Sequence, residues 1–89
     1  MAREFIATQT FDSAWINMGL TDEDLRLLQG YIMCMPGAGD LIPGTGGLIK
    51  LRWKMQNTGK SGGVRVLYVD FIRQETIILI NCYSKGQKR

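Results

Sequence analysis

Apolar positions change their spacing repeatedly along this chain, and each change marks a predicted element. Residues 3–8, Arg-Glu-Phe-Ile-Ala-Thr, predict a short strand with Phe5 and Ala7 on one face and Glu4 and Thr8 on the other, although Ile6 interrupts the alternation. From Phe11 the period lengthens: Phe11, Ala14, Trp15 and Met18 recur at helical spacing, and Gly19 supplies the stop. Thr21 is a good N-cap, and Asp22, Glu23 and Asp24 follow where carboxylates meet the positive end of a helix dipole. A second helix therefore starts near residue 22. Its stripe is Leu25, Leu28, Ile32 and Met35, widened by Leu27 and Tyr31, until Pro36 and Gly37 end it.

Residues 36–47 are all turn chemistry, a loop too glycine-rich for regular structure. Strict alternation then returns. Over 48–54, Ile49, Leu51 and Trp53 take one face and Lys50, Arg52 and Lys54 the other, as in a half-buried strand. A turn over 57–63 leads to a strand from Val64 to Phe71, and a second turn over 72–75 leads to a strand from Thr76 to Tyr83. This last run is apolar on both faces for most of its length, which suits a central strand covered by helices on at least one side. The expected fold is α+β, with two N-terminal helices packed on a small, mostly antiparallel β-sheet. Trp15, Trp53 and Tyr68 are assigned to its core.

At 89 residues the chain has material for a single core, so one domain spanning 1–89 is expected, with its functional groups on a surface cleft. Charge sharpens the picture. Residues 1–47 hold two basic side chains against six acidic, and residues 48–89 hold nine basic against two. Segregation of this kind points to a polyanionic partner, because the local field governs phosphate attraction. No apolar run reaches the length of a membrane span, and Glu4, Thr8, Gln9 and Thr10 stand where a signal peptide needs an apolar core, so a cytoplasmic location is expected. Cys34 and Cys82 are read as buried small hydrophobes without a bridge. With no His and no Cys-x-x-Cys, zinc and iron–sulfur sites lack a ligand set, and no metal or cofactor is expected.

Two glycine-rich stretches invite nucleotide-binding readings and fail them. Gly59-Lys60-Ser61 ends like a P-loop, but the first glycine would fall at Lys54, and the motif must enter a helix where a strand is predicted. Gly44-Thr45-Gly46-Gly47 lacks a glycine at position 49 and follows no strand. A helix-based DNA reader is also disfavoured, since Arg26 is the sole basic residue of the second predicted helix. The better constellation is Lys50, Arg52 and Lys54 on one strand face, Lys60 in the adjoining turn, Arg65 on the next strand, and Tyr83 with Lys85 at the end of the last. Antiparallel pairing would gather these in one groove. Phosphodiester chemistry needs a proton acceptor, a proton donor and stabilisation of developing charge, and Lys, Arg and Tyr can share those roles.

Gly44-Thr-Gly-Gly-Leu-Ile-Lys-Leu-Arg-Trp-Lys, Gly59-Lys-Ser-Gly-Gly-Val-Arg-Val-Leu-Tyr and Ile80-Asn-Cys-Tyr-Ser-Lys together resemble, in order and spacing, the signature segments of RelE/ParE-superfamily toxins of bacterial toxin–antitoxin systems, closest to the HigB-like branch. The resemblance implies a RelE-like fold and a metal-independent endoribonuclease (mRNA interferase) that cuts messenger RNA at the ribosome, inhibits translation, and is held inactive by a cognate antitoxin protein. It implies attack by the 2′-hydroxyl next to the scissile phosphate. On this chain it implies RNA binding by Lys50, Arg52, Lys54 and Lys60 and catalysis by Arg65, Tyr83 and Lys85. The chain departs from the pattern at Ile49 and Ser61, where basic residues are common, and it ends at Arg89 where family members continue, so a C-terminal extension is expected to be missing. A non-catalytic nucleic-acid- or protein-binding module of the same fold, and a topoisomerase-inhibiting toxin of the related branch, stand as alternatives.

Overall fold

The computed structural model describes residues 3–54 and 63–84. Its elements are β1 (Glu4–Ala7), α1 (Gln9–Asn17), α2 (Asp22–Cys34), β2 (Asp40–Leu41), β3 (Leu48–Trp53), β4 (Val64–Phe71) and β5 (Thr76–Ser84). The strands form one five-stranded sheet in the order β1-β5-β4-β3-β2, antiparallel throughout except that β1 runs parallel to β5. This is a small α+β domain with two N-terminal helices on a mixed, mostly antiparallel sheet. The helix that follows β1 carries the chain over the sheet, which is what a parallel pairing of first and last strands requires.

Thr8 separates β1 from α1 and serves both. Its backbone N–H donates to Leu79 O at 3.0 Å, extending the pairing with β5. Its hydroxyl accepts from Phe11 N at 3.0 Å as the N-cap of α1 and donates to Ile80 O at 2.8 Å. The first helix therefore begins at Gln9, earlier than its apolar spacing indicates, because the cap and not the first buried residue sets the start. It ends as expected at Gly19, whose φ of +79° a side chain would resist. The second helix has the capping box that its sequence promises: Thr21 Oγ1 accepts from Asp24 N at 3.1 Å, and Asp24 Oδ2 accepts from Thr21 N at 3.0 Å.

The core lies between the helices and one face of the sheet. Phe11, Trp15, Leu28 and Ile32 descend from the helices onto Leu51, Trp53, Val64, Val66, Tyr68, Ile77, Leu79 and Cys82. Trp15 stacks between Phe11, at 5.4 Å, and Trp53, at 5.9 Å, and satisfies its indole N–H on Thr21 O at 3.0 Å. That aromatic column clamps α1 to β3 and accounts for both tryptophans as core residues.

Three expectations are corrected. The 36–47 loop is not wholly irregular, because Asp40 and Leu41 pair with Lys50 and Ile49 as β2. Gly39 makes the approach possible: a β-carbon there would collide with the Ile49 side chain. Cys34 is exposed, since it sits on the outer side of the last turn of α2, whereas Cys82 is buried as expected. Met35, assigned to the buried stripe, is the C-cap of α2 and is 50% exposed, because the helix stops before completing that turn. The predicted turn over 57–63 lies outside the described residues apart from Gly63. Among the described residues no helix is long and apolar enough to cross a membrane.

Candidate nucleic-acid interface

The register of the sheet assembles the site. Leu51, Trp53, Val64, Val66 and Cys82 are buried on the helix-bearing face, so alternation sends Lys50, Arg52, Arg65 and Tyr83 to the opposite, open face. Arg52 lies directly across from Arg65 on β4, and Arg65 directly across from Tyr83 on β5. The three form one row across three strands, about 10 Å from first to last Cα at the usual strand spacing. The next row, roughly 7 Å further along the strands, is Lys50, Leu67 and Asn81, with Asp40 of β2 beside Lys50 at the edge.

The presence of Tyr83 in this row depends on an irregularity. Ile77 and Leu79 are buried on the helix side, so strict alternation would bury residue 81 and 83 as well and expose Cys82. The register with β4 shifts between Leu67 and Tyr68: Leu67 pairs with Asn81, Tyr68 pairs with Leu79, and Ile80 is left over. This bulge inverts the parity of β5. Cys82 turns into the core and Tyr83 turns out beside Arg65.

Two side chains hold the bulge. The Ile80 carbonyl, freed from the ladder, accepts from the Thr8 hydroxyl, and the Cys82 N–H donates to Asn81 Oδ1 at 2.8 Å. Neither Thr8 nor Asn81 is named among the candidate site residues of the sequence. Asn81, a polar residue in a strand that reads as apolar on both faces, was the available signal, since its side chain can replace a missing ladder bond; Thr8 stands on the polar face of the first predicted strand and offers no such contrast.

The row sets two like charges opposite each other. Like charges directly opposite on one face of an antiparallel pair are unfavourable, by roughly 0.2–1 kcal/mol. Arg52 is exposed and Arg65 half-buried on this face. Cys82, by contrast, takes no part. Burial pushes its thiol up to about 12, and Sγ points to Phe11 O at 3.9 Å within the core. Tyr68 is also raised, by burial first and then by Asp70 and Tyr31, and it faces the helices.

Of the predicted site residues, Lys50, Arg52, Arg65 and Tyr83 are thus brought onto one face. Lys54 is exposed one residue beyond the end of β3. Lys60 and Lys85 lie outside the described residues. Among the described residues no cluster of His, Cys, Asp or Glu has the makings of a metal site. A scan against protein-family models finds no match to this chain.

Proposed function

We propose that this chain is a RelE-like endoribonuclease that cleaves ribosome-bound messenger RNA without a metal ion. The observation that carries the reading is the Arg52–Arg65–Tyr83 row, two facing arginines and a phenol held together on an open sheet face by a bulge. The row supplies what such a reaction uses. The 2′-oxygen attacks the adjacent phosphorus as its proton leaves, the P–O5′ bond breaks, and the 5′-oxygen takes up a proton; the products are a 2′,3′-cyclic phosphate and a 5′-hydroxyl. In this scheme Arg65 stabilises the charge that grows on the phosphoryl oxygens, Tyr83 and Lys85 handle the protons, and Lys50, Arg52, Lys54 and Lys60 hold the flanking phosphates.

The test is to incubate the protein with translating ribosomes and map the RNA ends. Cuts ending in a 2′,3′-cyclic phosphate are expected, with the rate reduced about 10²–10³-fold in Arg65→Ala and RNA affinity reduced far less. Metal-assisted hydrolysis would leave different termini. If the folded protein binds RNA with the expected salt dependence and makes no cuts, the binding-module alternative replaces the enzyme; inhibition of a topoisomerase without RNA cleavage would move it to the related toxin branch.

A second observation supports a protein partner, the cognate antitoxin of the resemblance. On the open face, Leu48 pairs with Val69, Val69 with Ile78, and Ile78 with Ile6, a four-strand aliphatic row beside the basic one. Ile6 is 46% and Phe71 42% exposed. An amphipathic segment with acidic residues on one flank would cover the apolar row and place carboxylates on Lys50, Arg52 and Arg65. Ile6→Glu should then abolish co-purification with such a partner while leaving RNA binding intact.

A further inference from the structure

Asn81 belongs to the row of side chains next to the arginines. It stands on β5 directly across from Leu67 of β4, which in turn faces Lys50 of β3, and alternation puts all three on the open face. Tyr83 follows two residues later on the same strand and face, roughly 7 Å along the chain, and Arg65 is the diagonal neighbour across β4.

The amide of Asn81 has a fixed sense. The backbone N–H of Cys82 donates to Oδ1 at 2.8 Å. An N–H can be met only by the oxygen of an amide, so the NH2 group takes the other branch. Among the described residues, Nδ2 donates to no other group. The contact that orients the amide is also one of the two that hold the bulge, so the donor is anchored by the device that turns Tyr83 outward. Lys50, exposed on the other side of Leu67, is a donor without an acceptor. Leu67 is half-buried and adds an apolar floor with no hydrogen-bonding side chain. Asp40, the carboxylate of this row, lies beyond Lys50 at the sheet edge. The floor is therefore flanked by donors on both sides.

We propose that Asn81 selects RNA bases that carry a carbonyl where the others carry an exocyclic amine, guanine and uracil over adenine and cytosine. The inference rests on the ribonuclease reading for the placement of RNA on this face. A nucleotide spans, from phosphate to base, a distance comparable to the spacing between the two rows. A phosphate held by Arg65 and Tyr83 thus brings a flanking base over Leu67, between Asn81 and Lys50. The O6 of guanine or the O4 of uracil accepts from Asn81 Nδ2. The N6 of adenine or the N4 of cytosine would set one N–H against another and leave both unpaired. Tyr83 could accept from such an amine, but in this scheme its hydroxyl is engaged at the scissile phosphate.

The experiment measures binding on RNA that 2′-oxygen attack cannot cut. Hexamers of 2′-O-methyl uridine, cytidine, inosine and adenosine present the same base in every register, and inosine keeps the O6 carbonyl without the 2-amine of guanine. Fluorescence anisotropy at one fixed salt concentration should show uridine above cytidine and inosine above adenosine, each by about three- to tenfold. Asn81→Asp keeps an oxygen for the Cys82 N–H and replaces the NH2 with an acceptor, so both orders should reverse; its added charge weakens all four hexamers and leaves the ratios to report selection. The ratios in the original protein test the proposal without any variant. It is overturned if they are absent or inverted, if folded Asn81→Asp keeps the original order, or if no hexamer binds. Ordered binding by a protein that makes no cuts in translated RNA upholds the base selection and removes the ribonuclease; cuts without ordered binding uphold the ribonuclease and remove the selection.

Discussion

Thr8→Val replaces a hydroxyl with a methyl of nearly the same shape, and it removes two hydrogen bonds that serve different parts of the fold. The first is the N-cap of α1, where Oγ1 accepts from Phe11 N at 3.0 Å; loss of such a cap costs about 1 kcal/mol. The second joins Oγ1 to the Ile80 carbonyl at 2.8 Å, in a part-buried setting at the β5 bulge. Leaving that carbonyl unpaired costs about 1–2 kcal/mol, the lower part of the usual range for a buried group. The sum is about 2–3 kcal/mol. For a domain of this size each kcal/mol lowers the melting temperature by about 4–8 °C, so a drop of roughly 8–24 °C is expected. Thr8→Ser retains both bonds and is the control for the hydroxyl.

Urea denaturation of the three proteins measures the effect, and RNA cleavage and binding measured below the transition connect it to the site. The bulge sets the facing of Tyr83, so Thr8→Val should lower cleavage while the Arg52–Arg65 pairing, on strands that Thr8 does not touch, keeps RNA affinity near its original value. If Thr8→Val is within about 0.5 kcal/mol of the original protein, the range of an inert surface substitution, the dual role of Thr8 is refuted.

The remaining predictions concern charge, titration and backbone. Arg52→Glu turns the repulsion with Arg65 into attraction and should raise stability by about 0.5 kcal/mol, seen as a higher urea midpoint, while RNA affinity falls and its logarithmic salt slope shrinks by at least about 0.7. Cys82 holds its proton to about 12 when folded and releases it near its ordinary value when unfolded; the unfolded state thus binds fewer protons in that window. Stability should accordingly fall as pH rises from about 9 towards 12, by up to about 1.4 kcal/mol per pH unit, and Cys82→Ala should flatten the alkaline slope. Gly63 has a φ of +76°, and a β-carbon there would lie 2.6 Å from Trp53 O. Gly63→Ala should therefore cost more than about 2 kcal/mol, from the left-handed backbone and a carbonyl that cannot step aside, as read by denaturant melts.

Much of the fold was legible because its signals are local. Alternation over 48–54, with aliphatic and aromatic residues facing lysine and arginine, can only be a strand with one wet face; its start and its facing agree with the structure, and it ends one residue sooner, at Trp53. The Thr21–Asp24 capping box is likewise visible in the residues themselves. Illegible features depend on partners distant in sequence. Asp40 and Leu41 have no strand pattern of their own, and they pair because Thr45 braces the following loop, accepting from Leu48 N and donating to Ile42 O, and brings them back onto β3. Thr8 reads as one more strand residue until Ile80 is known to lie beside it.

The site was legible to the same degree and for the same reason. Lys50 and Arg52 declare their common face by spacing, and Arg65 follows once β3 and β4 are paired. Tyr83 does not. Counting along β5 from the buried Ile77 and Leu79 puts Tyr83 in the core and Cys82 on the surface, and an apolar run on both faces offers no contrast from which a change of parity could be read. The inversion is fixed by Asn81 and by Thr8, a residue at the far end of the chain. A one-residue irregularity in the sheet thereby decides whether the arginine row has a phenol beside it, and the stability of that irregularity sets how firmly the phenol is held. It follows that deletion of Ile80, the residue left over in the pairing, should give a regular ladder in which Leu79 still faces Tyr68 and Tyr83 still faces Arg65, so cleavage should persist in the deletion variant and be lost in Tyr83→Phe; a folded deletion variant that keeps this pairing yet makes no cuts would refute the reading that facing alone gives the row its phenol.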